Sequence, residues 1–405
     1  MSGYNRIKVP IAGMMAAFMG AGVLAVFVFS IFSKQIALEF EWTRSTVALG
    51  FTLFSIANGL GAVFLGLAMD KWGMRKTTIS MVTIFGLALC SVSLLPPSVP
   101  IYLAIFSVIG FAGAAATILP YSLAVSAWYD NSRGLMIGLI NVGTGIGGVC
   151  LPIVSAYLLT NYGWRSGYLV IGLMAIIIPL IGLIFLVRLP ENFEENRKKN
   201  IKENDKESFF SLFLTSSHLR KLMIGIFLVA FATYGLLSQL AIIVGDKGIT
   251  ALQVAGIMSA ASIASTTSRF VTGLLLDYFD ARYVAGLLFT LACVGIWFIT
   301  GYNEYYYLVI GGALLGVGLG AEADVMAYMT SRYFPLFKFG TIIGLLHMTF
   351  AWGGAAGMYL LNYAFDRLGD YVLASYGFIV IVIVGILFLL SLGQYVYPPI
   401  KAEKK

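Results

Sequence analysis

Long apolar segments alternate with short polar stretches along nearly the whole chain. Each segment is long enough for an α-helix to cross a hydrocarbon core about 30 Å thick, which takes about 20 residues. Backbone N–H and C=O groups must be satisfied within the segment in such a core, so the pattern predicts helices. Twelve spans are predicted, at residues 11–33, 45–69, 77–96, 100–127, 133–159, 166–188, 219–244, 251–276, 283–301, 306–331, 340–364 and 371–395.

A charged stretch from Glu191 to Ser208 divides these spans six and six. The fold predicted is an all-α membrane protein, with twelve transmembrane helices in two pseudo-symmetric six-helix bundles. The domains expected are an N-terminal bundle at 1–188, a cytoplasmic linker at 189–218, a C-terminal bundle at 219–395 and a cytoplasmic tail at 396–405.

Composition supports a membrane protein and excludes several other classes. Of the 405 residues, 59% are hydrophobic and 11% charged, whereas soluble proteins carry about 25% charged residues. The net charge of +7 does not indicate nucleic-acid binding, because the basic residues lie in loops between spans. The three cysteines lack metal-ligand spacing, and no nucleotide-binding Gly-x-x-x-x-Gly-Lys-Ser/Thr motif occurs. We expect no enzyme activity, catalytic residue, metal or cofactor.

Lysine and arginine are distributed unevenly over the predicted loops. With both termini in the cytoplasm, 20 of the 26 lie on the inner side, five lie on the outer side and Arg269 lies within a span. Cytoplasmic loops of membrane proteins carry such an excess of positive charge. We therefore expect a polytopic monomer in the lipid bilayer of the plasma membrane, or of the inner membrane in a bacterium.

The two halves of the chain repeat each other. Segment 66–76 follows the second span as segment 273–282 follows the eighth, and the fifth and eleventh spans open on the same glycine pattern. Equivalent positions, 206 or 207 apart, are Asp70 and Asp277, Gly134 and Gly340, Gly138 and Gly344, and Asn141 and His347. Two parallel repeats of six helices are typical of secondary transporters that bind substrate near the middle of the membrane.

One fixed positive charge lies deep within a span. Arg269 is eight residues before Asp277 at the inner end of the eighth span, about 12 Å along the helix and near the membrane centre. An unpaired arginine there costs several kcal/mol and does not lose its proton. Its planar guanidinium matches a carboxylate through two parallel hydrogen bonds. We expect Arg269 to bind an anionic substrate; the alternative is a structural ion pair with Asp324 or Glu322.

Other polar side chains are predicted at a similar depth, from both halves. Four are expected to orient the substrate, or to make interhelix contacts without a ligand: Tyr121, Asn141, Tyr328 and His347. Three are candidates for proton coupling or for an inner gate: Asp324, Glu322 and His347. Asp324 and Tyr328 share a helix face, whereas Glu322 points about 200° away from Asp324. We therefore favour Asp324 over Glu322 for the substrate side.

Several motifs match a known family. Residues 66–76 read Gly-x-x-x-Asp-Lys-x-Gly-x-Arg-Lys, which resembles the signature of the major facilitator superfamily. The runs 39–44 (Glu-Phe-Glu-Trp-Thr-Arg), 128–138 and 320–324 (Gly-Ala-Glu-Ala-Asp) are similar to runs in its monocarboxylate and oxalate/formate porters. The spacing Arg269-x-x-x-Gly273 matches the arginine that these carriers are understood to use for the substrate carboxylate.

The resemblance implies a mechanism as well as a fold. It implies alternating access, in which the two bundles rock about the central polar layer. It also implies that charges at the inner loops, here Asp70, Arg75 and Asp277, form a gate that clamps the halves while the outer side is open. The alternative for these charges is a solvated loop that sets topology.

Two positions depart from the family pattern. Animal monocarboxylate carriers place an acid one turn before the arginine of the eighth span, where this chain has Ser265. Oxalate/formate exchangers add a lysine to the eleventh span, and none occurs between Gly340 and Tyr363. Proton coupling must therefore use another group or be absent. One fixed cation favours a monoanion over a dianion.

The sequence thus predicts a secondary active transporter of small monocarboxylates, of the lactate or pyruvate kind, coupled to protons. Its expected partners are a small carboxylate and protons, and no nucleic acid. Three alternatives remain: an exchanger of organic anions such as oxalate or formate, an efflux pump for amphipathic drugs, and a non-transporting sensor.

Overall fold

The computed structural model describes residues 6–24, 28–42, 44–190, 193 and 216–397. Among these residues every regular element is a helix and no strand occurs. The predicted all-α fold is confirmed. The linker at 189–218 and the tail at 396–405 lie largely outside the described residues.

Helices occupy all twelve predicted spans. In the first half they are α1 (Lys8–Phe18), α2 (Ala21–Val23), α3 (Phe29–Glu39), α4 (Arg44–Trp72), α5 (Met74–Ser91), α6 (Val99–Gly113), α7 (Leu119–Trp128) and α8 (Arg133–Ile181). In the second half they are α9 (Ser217–Gly245), α10 (Ala251–Tyr278), α11 (Ala281–Gly301), α12 (Tyr305–Tyr333), α13 (Phe339–Leu368) and α14 (Val372–Leu390). Within the described part of the chain, eight helices are long and apolar enough to cross a membrane, and shorter apolar helices accompany them. The protein is a polytopic membrane protein.

The fifth and sixth spans form a single helical stretch with one sharp turn. Within α8 the backbone turns at Gly163, where φ is +78° and ψ is 167°. Glycine adopts this left-handed conformation without the steric penalty that a side chain brings. The connection predicted between residues 159 and 166 is therefore a tight turn centred on Gly163.

The first and fourth spans are each interrupted, which the apolar pattern alone does not predict. In the first, α1 and α2 are separated at Gly20, which is extended with ψ 143°. The fourth is divided between α6 and α7, and Pro120 lies in the first turn of α7, where a missing N–H is tolerated. The two breaks meet, since the Ala21 amide donates to the Ala116 carbonyl at 3.0 Å.

The chain forms two compact units. The first contains Met1–Asp130, Leu139–Glu203 and Leu336–Met348, and the second contains Asn131–Gly138, Asn204–Pro335 and Thr349–Lys405. The first unit thus includes the start of α13, and the second includes the start of α8. The boundaries of the two predicted six-helix bundles stay a prediction.

In the second unit α10 and α12 run parallel along a glycine seam. A Cβ on Gly312 would lie 2.8 Å from the Ile257 side chain, one on Gly316 would overlap the Ala261 carbonyl oxygen, and one on Gly320 would overlap that of Ser265. Each step advances four residues on both helices, which defines a parallel register. Glycine at these steps brings the two backbones close together.

Candidate functional site

Arg269 and Asp324 occupy the next step of the α10–α12 seam. They are 55 positions apart in sequence, as are the residues of the three preceding steps. Asp324 is fully buried, and Arg269 is partly buried. The Asp324 carboxylate acts electrostatically on the Arg269 guanidinium. The structure therefore brings together the predicted anion-binding arginine and one of its two alternative partners.

Glu322 lies on a different face of α12 from Asp324. The face of α12 that carries Gly311 and Gly318 packs on α11, since a Cβ on Gly318 would lie 2.6 Å from the Ala292 Cβ. Glu322 follows Gly318 by four residues and so shares this face. Its side chain is fully buried, and neither carboxylate oxygen has a hydrogen-bond partner among the described residues. A buried polar group without a partner costs free energy.

Tyr328 contacts a cationic cluster one turn beyond Asp324. The guanidinium carbon of Arg332 lies 5.1 Å from the centroid of the Tyr328 ring, and both side chains are buried. Arg133 donates to the Ser331 carbonyl at 3.3 Å. Both arginines act electrostatically on Asp277. Tyr328 thus lies on α12 between Asp324 and the arginines near Asp277, a residue of the predicted inner gate.

The two carboxylates predicted to form the gate make similar contacts. Asp277 accepts hydrogen bonds from the backbone N–H groups of Gly134 at 2.7 Å and Leu135 at 2.9 Å, in the first turn of α8. Asp70 accepts from the Thr341 N–H at 2.9 Å and from the Thr341 hydroxyl, in the first turn of α13. A carboxylate at a helix N-terminus satisfies unpaired N–H groups and complements the helix dipole.

Arg75 does not join either contact. Its guanidinium donates to the Ile184 carbonyl at 2.8 Å, just beyond α8. The bond ties the start of α5 to the end of the sixth span within the first unit.

Asp70 and Asp277 each lie at the end of a close helix crossing at glycines. In the second unit a Cβ on Gly138 would lie 2.8 Å from the carbonyl oxygen of Arg269, and one on Gly134 would overlap that of Gly273. In the first unit a Cβ on Gly344 would overlap the Ala62 carbonyl oxygen. The backbone that carries Arg269 therefore rests directly on the start of α8.

His347 is paired with a residue that the sequence analysis missed. Its Nε2 lies 3.2 Å from Oδ1 of Asn58, in the middle of α4. A lone asparagine in an apolar helix is weak evidence for a functional residue, but the internal repeat gives stronger evidence for Asn58. Asn58 is 207 positions from Ser265, the position at which related carriers place an acid.

The remaining predicted residues lie in the first unit, as His347 does. Tyr121 is in the first turn of α7 and is fully buried, and its hydroxyl has no hydrogen-bond partner in the described part of the chain. Asn141 is also buried. Arg269, Asp324, Glu322 and Tyr328 belong to the second unit.

The motif at residues 39–44 has a structural explanation on the predicted outer side. Arg165 forms a salt bridge with Glu39, and the Trp164 indole N–H donates to the same carboxylate at 2.6 Å. The hydrogen bond from Arg165 lowers the pKa of Glu39 below its usual value. These contacts join the end of α3 to the turn at Gly163.

Comparisons with known proteins agree with this architecture. The chain is 24% identical over 329 residues to the cis,cis-muconate transport protein of Acinetobacter baylyi, covering 76% of each. It is 27% identical over 183 residues to monocarboxylate transporter 14 of Mus musculus, covering 45% of this chain and 34% of that one. The crystal structure of the transporter FucP in its outward conformation covers 96% of this chain with a TM-score of 0.76 at 14% identity.

The family model of the Major Facilitator Superfamily matches residues 11–302 and, in an overlapping match, 222–405. The chain belongs to the major facilitator superfamily, whose members are transporters and not enzymes.

Proposed function

We propose that this protein transports small monocarboxylates, and that Arg269 binds the substrate carboxylate in place of Asp324. The observation that carries the proposal is the register of α10 and α12, which sets a buried acid opposite the one arginine predicted deep within a span. A substrate carboxylate has the same charge and shape as the Asp324 side chain. It therefore competes for the same planar guanidinium.

The exchange of carboxylates supplies a route for proton coupling. When the substrate occupies Arg269, Asp324 is left buried without its cation. A buried carboxylate without a counter-charge takes up a proton, because desolvation disfavours its charged form. One anion and one proton then cross together, and the loaded site carries little net charge.

Tyr121, Asn141, Tyr328 and His347 orient the substrate in this proposal. The unsatisfied hydroxyl of Tyr121 supports this role, because a buried donor without a partner costs about 1–3 kcal/mol until a ligand satisfies it. Tyr121 also follows the break between α6 and α7. Interrupted helices of this kind line the substrate sites of many transporters.

The gate consists of the two carboxylate contacts at helix N-termini. We assign Asp70 and Asp277 to holding the predicted inner end shut, with Arg75 bracing the adjoining loop. Opening this end requires both carboxylates to leave the N–H groups that they cap. Alternating access would then pass between this conformation and one in which the caps are released.

The names of the relatives support a carboxylate substrate. One is named as a monocarboxylate transporter, and another transports muconate, which is a dicarboxylate. A single fixed cation beside Asp324 supports the monoanion as the substrate of this chain. An exchanger of organic anions remains the alternative that the transport assay must distinguish.

Uptake by proteoliposomes tests the proposal. Labelled lactate, pyruvate, formate, oxalate and muconate are supplied with and without a pH gradient that is alkaline inside. The parent should accumulate lactate or pyruvate faster with the gradient, and Arg269→Lys should lose most uptake, because lysine keeps the charge but loses the planar fork. Arg165→Lys, at the partly exposed salt bridge with Glu39, is the matched control. Unchanged lactate and pyruvate uptake in Arg269→Lys would refute the proposal, and gradient-independent counterflow would favour the exchanger.

A further inference from the structure

Asn58 and His347 meet one turn beyond an antiparallel seam between α4 and α13. A Cβ on Gly340 would lie 2.7 Å from the Gly66 carbonyl oxygen, and one on Gly344 would overlap that of Ala62. Continuing the seam by four residues on each helix brings residue 58 beside residue 348, which is next to His347. The side chains meet there, with Oδ1 of Asn58 3.2 Å from Nε2 of His347.

The Asn58 amide has only one orientation that satisfies its neighbours. Its other atom, Nδ2, lies 3.0 Å from the carbonyl oxygen of Gly110, one of the last four carbonyls of α6. A carbonyl oxygen can only accept, so the group that faces it must be the NH2. Rotating the amide by half a turn would set two oxygens against each other. Oδ1 therefore faces His347.

This orientation determines which imidazole nitrogen carries the proton. Oδ1 can only accept, so Nε2 of His347 must donate. We propose that Asn58 is a positioning residue that holds His347 in its Nε2–H tautomer, with Nδ1 as the acceptor nitrogen. The proposal rests on the proposed function only in assigning His347 to the substrate site.

The identity of residue 58 also sets the charge of the imidazole. Asn58 is the repeat equivalent of Ser265, so this seam has a neutral amide where an acid would stabilise an imidazolium. The charged residues on α4 and α13 and just before α13 are Arg44, Asp70, Lys71, Lys338, Asp366 and Arg367. Each lies about 14 Å or more along the helix axes from the pair. A neutral His347 adds no second fixed cation for a dianion, which suits a monoanion.

Nitrogen NMR of the imidazole tests the proposal directly. The chain has two histidines, His218 and His347, so a His218→Gln background leaves a single imidazole to observe. In 15N-histidine protein in lipid nanodiscs, the parent should show the Nε2–H tautomer alone. Asn58→Leu should populate the Nδ1–H tautomer, because leucine removes the acceptor that Asn58 supplies to Nε2. Asn58→Asp should keep both nitrogens protonated to a higher pH and move the pH profile of lactate uptake in the alkaline direction.

A second asparagine provides the matched control. Asn161 also donates its amide to a helix carbonyl, that of Tyr157 at 2.8 Å, but it is exposed. Asn161→Leu should leave the imidazole spectrum unchanged. An Nδ1–H tautomer in the parent, or a spectrum and pH profile unaltered by Asn58→Asp, would overturn the proposal even if Asn58→Leu fails to fold. The spectrum is recorded without substrate, so a failure of the tautomer proposal is distinguishable from a failure of the proposed function, which Arg269→Lys tests.

Discussion

Asp70 and Asp277, 207 positions apart, cap the first turns of two helices that begin in the opposite halves of the sequence. Asp277 accepts from two backbone N–H groups, and Asp70 accepts from the backbone N–H and the hydroxyl of Thr341. The two repeats therefore share these contacts as well as their sequence pattern. A pair of equivalent caps explains why both loops begin with an acid, although only the first carries the full basic motif.

Removing either cap should favour opening at the predicted inner end. Loss of a carboxylate cap costs about 0.5–2 kcal/mol, which shifts a two-state equilibrium about 2- to 30-fold. Ser126 near the end of α7 is buried in this conformation. A cysteine at that position, in a background without Cys90, Cys150 and Cys293, should react faster with a thiol reagent in Asp70→Ala and in Asp277→Ala.

Asp246, in the predicted outer loop after α9, supplies the control for these substitutions. Asp246→Ala should leave the thiol labelling rate at position 126 unchanged. Equal labelling rates in the parent and both cap variants would show that the carboxylates do not hold this end closed.

Replacing Glu322 should make the protein more stable and less active. The buried carboxyl lacks a partner among the described residues, and an unsatisfied buried polar group costs about 1–3 kcal/mol. Glu322→Met keeps a similar volume and removes that cost, so thermal unfolding in detergent should move to a higher temperature. Lactate uptake should fall, because we expect a buried acid that destabilises this conformation to have its function in another conformation of the transport cycle. A lower unfolding temperature for Glu322→Met would contradict this account.

Enlarging Gly138 should disturb Arg269 through its backbone. A Cβ there would lie 2.8 Å from the Arg269 carbonyl oxygen, so Gly138→Ala must move α10 away from α8. We expect the half-saturation concentration for lactate to rise several-fold. Gly286→Ala is the control, because its Cβ would meet Ile386 at an ordinary 3.7 Å. If the two alanine variants have the same half-saturation concentration, the crossing does not position the site.

The helices followed from the apolar pattern because lipid forces every backbone group to be satisfied within its own helix. The breaks in the first and fourth spans could not be predicted from this pattern, because Gly20 and Ala116 lie in runs as apolar as their neighbours. The hydrogen bond from Ala21 to Ala116 that satisfies them is a tertiary contact. Such contacts are invisible to a pattern read along one chain.

The sequence predicted candidate site residues from their charge and their depth within the spans, but it did not predict which of them are in contact. Sequence analysis identified Arg269 and Asp324 but left open whether Asp324 or Glu322 is the partner of the arginine. That choice depends on the register of two helices, which glycines at 312, 316 and 320 set by close approach. Asn58 was missed because its role depends on a carbonyl of α6 and an imidazole of α13 together.

Proton uptake on substrate binding tests the central claim most directly. If the substrate carboxylate displaces Asp324 from Arg269, purified protein in weakly buffered solution should take up about one proton for each lactate bound. Asp324→Asn should bind lactate without taking up a proton. Lactate binding to the parent with no proton uptake, or equal uptake in Asp324→Asn, would contradict the exchange of carboxylates at Arg269.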